Sequence, residues 1–422
     1  MKRIEVSRPG FSFPARKKTI RFITLGCKAN QYDTQSIRER FLERGFKEVF
    51  SDSSAGYFLV NTCTVTSGAD QKSRNLIRRC IHSSPGAFVI VTGCMAEKDW
   101  KTLAAIEGVG LIAKKSFFPE GITAFNQRTR AFLKIQDGCD NFCSYCKVAL
   151  VRGRKRSKPI KQILKEAGSL AEHGYKEIVL TGICLGQYGS DLGRRIDLGE
   201  IVGRIEEIKG IRRIRLSSIE AKDVSPGLLK RFSGSEKLCR HLHIPLQSGD
   251  DRVLKMMNRK YTSCSYRRLV ERAREKIPDV SITTDCLVGF PGETKENFLN
   301  TIRLIRRIKP LKVHIFPYSP RPGTKAFGFR GEVGAPAVKS RCLELEKAAE
   351  ECRDGFMRGF LGREFEVLLE GPLNGRAGGA EGLTDNYLKV LLPFSRSNKP
   401  FVAARLKDMH KGCFIGECID NS

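Results

Sequence analysis

Three short apolar segments near the start of the chain end in the same way, and this repetition strongly limits the possible folds. Each segment leads directly into a cysteine: TIRFITLG into Cys27, AGYFLVNT into Cys63 and AFVIVTG into Cys94. All three are rich in Val, Ile and Phe, and each is followed by a helical pattern with a polar start. Such strand–helix alternation is typical of a parallel sheet covered by helices on both faces. We therefore predict a Rossmann-like α/β domain over residues 19–127.

The cysteines that follow these segments predict a metal-binding site. In a parallel sheet, the loops beyond the carboxyl ends of the strands form the ligand crevice. The three thiols fall in these loops, so we expect them to be close in space although they lie 36 and 31 residues apart in the sequence. One cysteine at such a position would be interpreted as a small buried apolar residue, as we interpret Cys80. Three at equivalent positions indicate three thiolate ligands.

A second group of three cysteines occurs in the run QDGCDNFCSYC, which contains Cys139, Cys143 and Cys146. Thiolates at this C-x3-C-x2-C spacing can bind three irons of a [4Fe-4S] cluster and leave the fourth iron without a protein ligand. An open iron can bind a substrate or a second cofactor, so the spacing indicates chemistry. A structural zinc site would need a fourth ligand, which Cys184 or His173 would provide only if the fold brought one of them in.

The strand–helix alternation restarts after the first domain and runs longer. Six strand candidates follow one another: 131–136, 176–182, 212–218, 241–247, 280–290 and 311–319. Helical patterns lie between them, for example at 160–173, 198–208 and 293–307. Six βα units with right-handed crossovers predict a partial, open (β/α)6 barrel over residues 128–356.

Small and polar residues collect at the predicted ends of these strands. Barrel enzymes place their sites at this face. We therefore take four strand-end residues as candidates for binding a cofactor: Thr181, Gly182, Ser217 and Gln247. The alternative is that such residues only cap the helices that follow.

The end of the chain has a different character. Residues 333–356 predict a helix that ends near Gly359, and residues 359–422 alternate in short β segments broken by Gly-rich turns. This pattern predicts a small β-barrel, an architecture that often binds nucleic acid. Cys413 and Cys418 in this region are interpreted as free buried thiols and not as ligands.

The charge of the chain indicates a polyanionic partner. Lys and Arg number 75 against 46 Asp and Glu, a net charge of +29. Residues 126–355 alone hold 46 basic and 27 acidic groups, so the excess lies mostly in the part that contains the cysteine triplet. We predict that nucleic acid binds near the reactive centre. The alternative is a protein with an unusually basic surface.

A basic run begins just after the triplet, in the sequence VRGRKRSKP. Four of its cations are predicted to contact RNA phosphates: Arg152, Arg154, Lys155 and Arg156. The alternative interpretation is an ordinary solvated loop.

The cysteines also bear on the compartment. The N-terminal run MKRIEVSRPGFSFPARKK lacks the apolar core of a secretory signal, and no apolar run approaches membrane-spanning length. We therefore expect the fifteen cysteines to be reduced thiols in the cytoplasm, not disulfides. No membrane partner is expected.

Taken together, the motifs resemble the methylthiotransferase family of radical S-adenosylmethionine (SAM) enzymes over nearly the whole chain. The matching segments are TLGCKANQYDT, VNTCTVT, VTGCMAE, QDGCDNFCSYC, EIVLTGICLGQYG, HIPLQSGDDRVLKMMNRKYT, TTDCLVGFPGET and GLTDNYLKV. The resemblance implies an N-terminal methylthiotransferase domain (19–127), a radical-SAM core (128–356) and a C-terminal TRAM domain, an RNA-associated β-barrel (359–422). The run Lys147-Val148-Ala149-Leu150 departs from the family, which usually has two Ile, a Pro and an aromatic residue there.

The resemblance also implies cofactors and chemistry. Two [4Fe-4S] clusters are implied, one on Cys139, Cys143 and Cys146 that binds SAM, and an auxiliary one on Cys27, Cys63 and Cys94 that presents sulfur. SAM cleavage would release a 5′-deoxyadenosyl radical, and a second SAM would provide the methyl group. The implied partners are the anticodon stem-loop of a tRNA, an electron donor such as flavodoxin or ferredoxin, and a system that supplies sulfur or iron–sulfur clusters.

The substrate branch is indicated by few residues. The start GCKANQYDT resembles the branch that converts N6-threonylcarbamoyladenosine, the base just 3′ of the anticodon, to its 2-methylthio derivative. The alternatives in the family are isopentenyladenosine in tRNA and an aspartate of a ribosomal protein. A different class, a non-catalytic iron–sulfur or zinc RNA-binding protein, would bind metal without cleaving SAM.

Overall fold

The structure is a computed structural model that describes residues 4–5, 13–118, 120–125, 129–193, 196–372, 379–393 and 399–419. Its contacts divide the chain into two compact units. Unit 1 comprises the described residues of 1–126, 137–156 and 319–327, and unit 2 those of 127–136, 157–318 and 328–422. The cysteine triplet thus belongs with the N-terminal segment. Residues 127, 128 and 420–422, where predicted domain limits fall, lie outside the described residues, and the three-domain division remains a prediction.

Unit 1 contains a parallel α/β sheet with helices between its strands. Its elements are β1 (Ile4–Glu5), β2 (Thr19–Thr24), α1 (Lys28–Glu43), β3 (Lys47–Glu48), β4 (Tyr57–Thr62), α2 (Ser67–Ser83), β5 (Phe88–Gly93), α3 (Cys94–Lys98), α4 (Trp100–Ala104) and β6 (Val109–Ile112). In the described residues the strand order is β1-β6-β5-β4-β2-β3, and all neighbours pair in parallel. The predicted Rossmann-like parallel sheet is confirmed.

Strand β4 shows why this sheet is covered on both faces. Successive side chains of a strand point to opposite faces. Phe58 and Val60 lie in one hydrophobic cluster with α2, α3 and α4, whereas Tyr57 and Leu59 lie in another with Ile37 of α1. A strand buried on both faces is a continuous apolar run, which explains the pattern in the sequence.

The central part of the chain alternates strands and helices. In chain order these are β7 (Arg130–Asp137), α5 (Val148–Arg152), β8 (Arg156–Ser157), α6 (Ile160–Glu172), β9 (Glu177–Gly182), α7 (Leu198–Glu206), β10 (Arg213–Leu216), α8 (Pro226–Ser233), β11 (His241–His243), α9 (Asp251–Met256), α10 (Ser263–Lys276), β12 (Ser281–Val288), α11 (Lys295–Ile308), β13 (Lys312–Pro317) and α12 (Ala335–Arg358). All six predicted barrel strands form. Helices α10 and α11 begin at capping boxes, in which Thr262 and Thr294 accept from the third residue of the helix.

The six predicted barrel strands divide between two sheets, and the partial, open barrel over residues 128–356 remains a prediction. In the described residues the orders are β10-β9-β7-β8 and β11-β12-β13. Between β10 and β11 only isolated bridges occur, at Ile214–Leu238 and Ser218–His243. Strand β11 is only three residues long, and Pro245, which cannot donate a ladder hydrogen bond, follows closely.

The C-terminal segment of unit 2 is a closed β-barrel, as predicted. Its strands are β14 (Glu364–Pro372), β15 (Ala380–Thr384), β16 (Lys389–Leu392), β17 (Phe401–His410) and β18 (Cys413–Cys418), in the order β14-β15-β16-β18-β17. Val367, Val390 and Leu406 are buried in its core. None of the described helices is both long and apolar enough to span a membrane.

Arginine side chains join the C-terminal barrel to the strands of unit 2. Arg215 on β10 donates to the Thr384 carbonyl at 3.1 Å and forms an ion pair with Glu177 at 2.7 Å. Arg240 donates to the Asp385 carboxylate at 3.1 Å. Asp385 is largely buried, which opposes its charge, but the hydrogen bond from Arg240 leaves the net pKa of this carboxyl lowered. Charge pairing thus contributes to this internal interface.

Candidate iron–sulfur and cofactor sites

The three cysteines of the first segment lie at the carboxyl ends of neighbouring parallel strands. Cys27 follows β2 and is the N-cap of α1, Cys63 directly follows β4, and Cys94 is the first residue of α3 after β5. In the sheet these strands are adjacent, in the order β5-β4-β2. Cys27 is exposed, and the other two are buried. One edge of the sheet therefore gathers three thiols from distant positions in the sequence.

Glycines let the backbone approach these thiols closely. A Cβ at Gly26, which has φ +106°, would lie 3.1 Å from the Cys63 Cβ. A Cβ at Gly93, which has φ +95°, would lie 2.3 Å from the Asn61 Oδ1. Both residues need the left-handed backbone region that glycine accepts at no steric cost.

Asn30 ties the loops around this site together. Its Nδ2 donates to the Leu25 carbonyl at 2.8 Å and to the Thr62 carbonyl at 3.0 Å. Its Oδ1 lies 3.8 Å from the Cys94 Sγ. One buried amide thus contacts the ends of β2 and β4 and the thiol at the start of α3, and it fixes their spacing.

The triplet forms a tight loop between β7 and α5. Backbone amides face two of its sulfurs, with Asn141 N 3.4 Å from the Cys139 Sγ and Val148 N 3.4 Å from the Cys146 Sγ. Cys139 N donates to the Gly153 carbonyl at 3.1 Å, which closes the loop. Amide donors at ligand sulfurs are one of the means by which proteins tune iron–sulfur clusters. All three thiols are partly exposed.

Arg152 connects the triplet segment to the first cysteine group. Its Nη1 donates to both carboxylate oxygens of Asp137, at 2.8 and 2.9 Å. Its Nη2 lies 3.2 Å from the Asp33 Oδ2 on α1 and also donates to the Asn30 Oδ1. The side chain is only 2% exposed. Burial opposes the charge, but Asp137 and Asp33 raise the pKa of the guanidinium well above its ordinary value. The cation stays charged and holds α5 against the end of the sheet.

Lys147 makes a second connection at the position where the chain departs from the family pattern. Its Nζ lies 2.7 Å from the Asp99 Oδ2, and that oxygen lies 3.4 Å from the Thr64 Oγ1. Asp99 directly follows α3, which begins with Cys94. Helices α3 and α5 are in direct contact. The two cysteine groups are therefore parts of one packed region of unit 1.

The residues fit two clusters better than zinc. Two sulfurs on one zinc ion lie at most about 4.6 Å apart, since each Zn–S bond is about 2.3 Å. Among the described residues, the only groups of three ligand atoms within 4.8 Å of one another contain no cysteine. Burial raises the pKa of the Cys63 thiol, and negative charge on Cys94 or Cys27 raises it further, so three thiolates here require a compensating cationic group.

The fourth zinc ligands considered from the sequence have other contacts. The Cys184 Sγ lies 3.7 Å from the Asp223 Oδ2, and the His173 Nδ1 lies 2.8 Å from the Ser169 carbonyl oxygen. Cys80, interpreted as a buried apolar residue, is in the hydrophobic cluster on one face of the sheet.

The four cofactor candidates lie at strand ends in unit 2. Thr181 and Gly182 end β9, Ser217 follows β10, and Gln247 has φ +67° with its backbone bonded to β12. The Ser217 Oγ is buried and has no hydrogen-bond partner among the described residues. Such a group fits a polar ligand such as SAM. The following helices are capped instead by Asp197, Ser225 and Asp250, so helix capping does not explain these residues.

The basic run after the triplet divides into buried and exposed cations. Arg154 is 79% exposed and lies over the Phe142 ring at 5.5 Å, Arg156 is exposed, and Lys155 is partly exposed. Arg152, in contrast, is engaged inside unit 1. Because its donors face Asp137, Asp33 and Asn30, the structure does not support a phosphate contact by Arg152.

Sequence reasoning missed the polar residues that join the two cysteine groups. Asn30, Asp33 and Asp137 lie inside or beside the cysteine motifs, but no structural role is predicted for them from the sequence. Part of the signal is present in the sequence. GCKANQYDT and QDGC each contain polar residues close to the end of a predicted strand, and polar groups that are buried there need hydrogen-bond partners.

The fold and the two thiol groups define a radical-SAM enzyme with an additional α/β domain. Residues 133–305 match the radical SAM superfamily, and residues 19–113 match the uncharacterized protein family UPF0004. Among solved structures, the chain is similar to the radical SAM methyltransferase TsrM of Kitasatospora setae, which was solved with cobalamin and a [4Fe-4S] cluster. The TM-score is 0.51 at 14% sequence identity, and the match covers 74% of this chain and 77% of TsrM. A likeness at this identity supports the fold alone.

The chain belongs to the methylthiotransferase family of radical-SAM enzymes, which use SAM and two [4Fe-4S] clusters. It is 38% identical to the threonylcarbamoyladenosine tRNA methylthiotransferase MtaB of Thermotoga maritima over 84% of this chain and 87% of the relative. The MtaB of Chlamydia pneumoniae is 35% identical over 96% and 99%. A tRNA-2-methylthio-N(6)-dimethylallyladenosine synthase of Acetivibrio thermocellus is 32% identical over 84% and 81%.

Proposed function

We propose that the protein converts N6-threonylcarbamoyladenosine beside the anticodon of tRNA to its 2-methylthio derivative. The observation that carries this proposal is the joining of both cysteine groups within unit 1 by Arg152 and Lys147. A methylthio transfer needs a radical centre and a sulfur source within one packed region. The similarity to enzymes named for threonylcarbamoyladenosine supports this substrate.

The chemistry explains why two thiol groups are needed. The C2–H bond of adenine is neither acidic enough for a protein base nor easily displaced. When bound, two [4Fe-4S] clusters and SAM supply the electron, the sulfur, the methyl group and the radical reactivity that replace this hydrogen by a methylthio group. Cys139, Cys143 and Cys146 would hold one cluster, and the auxiliary cluster would be held by Cys27, Cys63 and Cys94.

Other residues of the chain bind and orient. Thr181, Gly182, Ser217 and Gln247 would hold SAM at the strand ends, where the buried Ser217 hydroxyl is available for a polar ligand. Arg152 and Asn30 position the loops that carry the thiols but do not react themselves.

We propose that the RNA contacts the exposed part of the basic run. Arg154, Lys155 and Arg156 would bind phosphates, and Phe142 beneath Arg154 offers an exposed ring for stacking. The target base must leave its stack to reach a recessed centre, which an anticodon loop permits at modest cost. We further propose that the enzyme acts in the cytoplasm with a flavodoxin or ferredoxin as electron donor and a sulfur or iron–sulfur supply system.

Reconstituted enzyme and an anticodon stem-loop RNA with the modified base provide the test. Nucleoside mass spectrometry should detect 2-methylthio-threonylcarbamoyladenosine together with 5′-deoxyadenosine after reduction with SAM present. The Cys63→Ala variant should give no modified base. Product from isopentenyladenosine RNA alone would assign the other tRNA branch, and activity only on a ribosomal-protein aspartate would remove tRNA as the substrate. Bound zinc without SAM cleavage would indicate a non-catalytic RNA-binding protein.

A further inference from the structure

Two histidines and an aspartate form a polar cluster on three neighbouring strands of unit 2. His243 ends β11, Asp285 lies in β12 and His314 lies in β13, and one ligand atom of each lies within 4.8 Å of the others. The His243 Nε2 lies 3.2 Å from the Asp285 Oδ1, and the two imidazole centroids are 5.7 Å apart. We call these three residues the His–Asp–His cluster.

The strand register places all three side chains on one face of the sheet. Asp285 and His314 are direct partners in the parallel pair of β12 and β13, and His243 is the partner of Thr283, two residues before Asp285. Leu242 and Ile282, which directly precede His243 and Thr283 in their strands, are fully buried and face the other way. The cluster therefore does not belong to the apolar core behind the sheet.

Its exposure distinguishes the cluster from a structural ion pair. The side chains of His243 and Asp285 are 16% and 23% exposed. Lys158 and Glu166, a structural pair in the same unit, are each 5% exposed. His314 also lines a cavity of about 860 Å³ along β13 and α12. His314 thus faces a cavity, and the two partly exposed groups beside it are polar, a combination that is typical of a site that binds a ligand.

The orientation of the groups favours hydrogen bonding over metal binding. Thr283 Oγ1 lies 2.8 Å from the His243 Nδ1 and fixes the ring, so that Nε2 points at Asp285. The His243 Nε2 and the Asp285 oxygen are within hydrogen-bonding distance of each other, so each has a partner without a cation. The cluster thus offers one imidazole, His314, that can donate to an anion, and one carboxylate, Asp285, that can accept from N–H or O–H groups.

The relatives indicate which ligand would need such a set. They act on adenosines that carry either a threonylcarbamoyl or a dimethylallyl group on N6. The first group has a carboxylate, a hydroxyl and urea N–H donors, and the second has no polar atom. An apolar group at this cluster would exclude water from Asp285 and His314 without offering them a hydrogen bond, which a polar site rejects strongly.

We propose that His243, Asp285 and His314 bind the threonylcarbamoyl group of the substrate adenosine and select it over the dimethylallyl group. This inference rests on the proposed function. His314 donates to the carboxylate of the threonyl group, and Asp285 accepts from its hydroxyl or urea N–H. His243, whose two ring nitrogens face Thr283 and Asp285, holds Asp285 in place. The cluster is thus a specificity site that does not take part in the sulfur chemistry.

The test compares reconstituted holoenzymes on stem-loop RNAs with threonylcarbamoyladenosine, isopentenyladenosine or adenosine at the target position. His314→Phe keeps a ring of similar size, and Asp285→Asn keeps the shape of the carboxylate. Each should lower kcat/KM for the threonylcarbamoyl RNA by about 10- to 100-fold and reduce its preference over the isopentenyl RNA. His82→Phe, an exposed position in α2, is the matched control and should retain wild-type values.

The outcomes separate this inference from the proposed function. A wild-type enzyme without activity on the threonylcarbamoyl RNA would overturn both. An active wild type whose variants keep the same preference among the three RNAs would overturn only the specificity site. Loss of a stoichiometric divalent metal from both variants, measured by elemental analysis, would replace it with a metal site. Unchanged iron content and retained binding of the unmodified RNA show that the variants are folded. A variant that binds the threonylcarbamoyl RNA no more tightly than the isopentenyl RNA would support the inference.

Discussion

The guanidinium of Arg152 makes contacts that few other side chains could reproduce. It faces Asp137 with two hydrogen bonds and reaches Asp33 and Asn30 with its other nitrogen. The planar fork of arginine matches a carboxylate at two points, which a lysine ammonium does not. Arg154, two residues further on, has the same charge but faces solvent, so the two arginines are a natural matched pair for mutagenesis.

We expect Arg152→Ala to destabilise the protein by about 3–5 kcal/mol, because it leaves two carboxylates without their buried counter-charge. Arg152→Lys should recover part of this loss. Urea unfolding of the reconstituted protein measures the effect. Arg154→Ala should change the free energy of unfolding by less than about 0.5 kcal/mol. It should nevertheless reduce the slope of log K for RNA binding against log salt concentration by about one, because one phosphate contact is lost. Equal destabilisation by both alanine variants would contradict the assigned roles.

Lys147 and Asp99 form a second pair at the residue scale, and this one is partly exposed. Their side chains are 9% and 32% exposed. Solvent screens such a pair, so a double-mutant cycle with Lys147→Met and Asp99→Asn should give a coupling energy of about 0.5–1 kcal/mol. Additive effects of the two single changes on the unfolding midpoint would show that the contact contributes nothing to joining α3 and α5.

At the scale of elements, strand β10 is held by a buried charge pair. Glu177 on β9 is fully buried and meets Arg215 on β10. Burial by itself would raise the pKa of the Glu177 carboxyl, but Arg215, Arg130 and Arg213 lower it below its ordinary value. A carboxyl with a lowered pKa contributes stability that is fully present above its unfolded value and is lost as the pH falls through the folded value.

Wild-type stability should therefore decrease when the pH is lowered below about 4.5, the ordinary value of a glutamate carboxyl. Glu177→Gln should remove the part of this pH dependence that belongs to Glu177 and cost about 3–5 kcal/mol at neutral pH, because Arg215 then lacks its buried partner. Thermal unfolding of both proteins between about pH 2 and pH 7, a range that extends below the ordinary glutamate value, tests this. Parallel pH profiles would show that Glu177 does not contribute to the acid sensitivity.

At the scale of the whole molecule, the two compact units do not follow the domain limits that the sequence predicts. The triplet lies in a stretch predicted as part of the barrel, but residues 137–156 pack with the N-terminal sheet in unit 1. This packing makes the two cysteine groups depend on the same folded region. They should nevertheless bind their clusters through separate ligand sets.

Replacing either set of three cysteines by alanine should halve the iron content of the reconstituted protein, from about eight to about four atoms per chain. The variant without Cys27, Cys63 and Cys94 should still cleave SAM to 5′-deoxyadenosine on reduction but should form no methylthio product. The variant without Cys139, Cys143 and Cys146 should do neither. Iron analysis and product chromatography measure both. Unchanged iron content in either triple variant would show that those thiols are not ligands.

The amino-acid sequence by itself determined the strands, most helices and the placement of Cys27, Cys63 and Cys94 at strand ends. These features depend on apolar runs and turns, which are local, so they can be read without knowing the neighbours. The closed C-terminal barrel was predictable for the same reason. The sequence alone also predicts a cluster on the triplet, because the spacing of the three cysteines along the chain is itself the chemical signature.

Only the tertiary structure decided which polar residues are buried and what they face. The charge of Arg152 suggested RNA, but partners more than 100 positions earlier in the chain turn it inward. His243, Asp285 and His314 come from three strands and are brought together by parallel register alone. The physical reason is that a charge in a sequence has no fixed environment: burial, counter-charge and hydrogen-bond partners come from residues that are distant until the chain has folded.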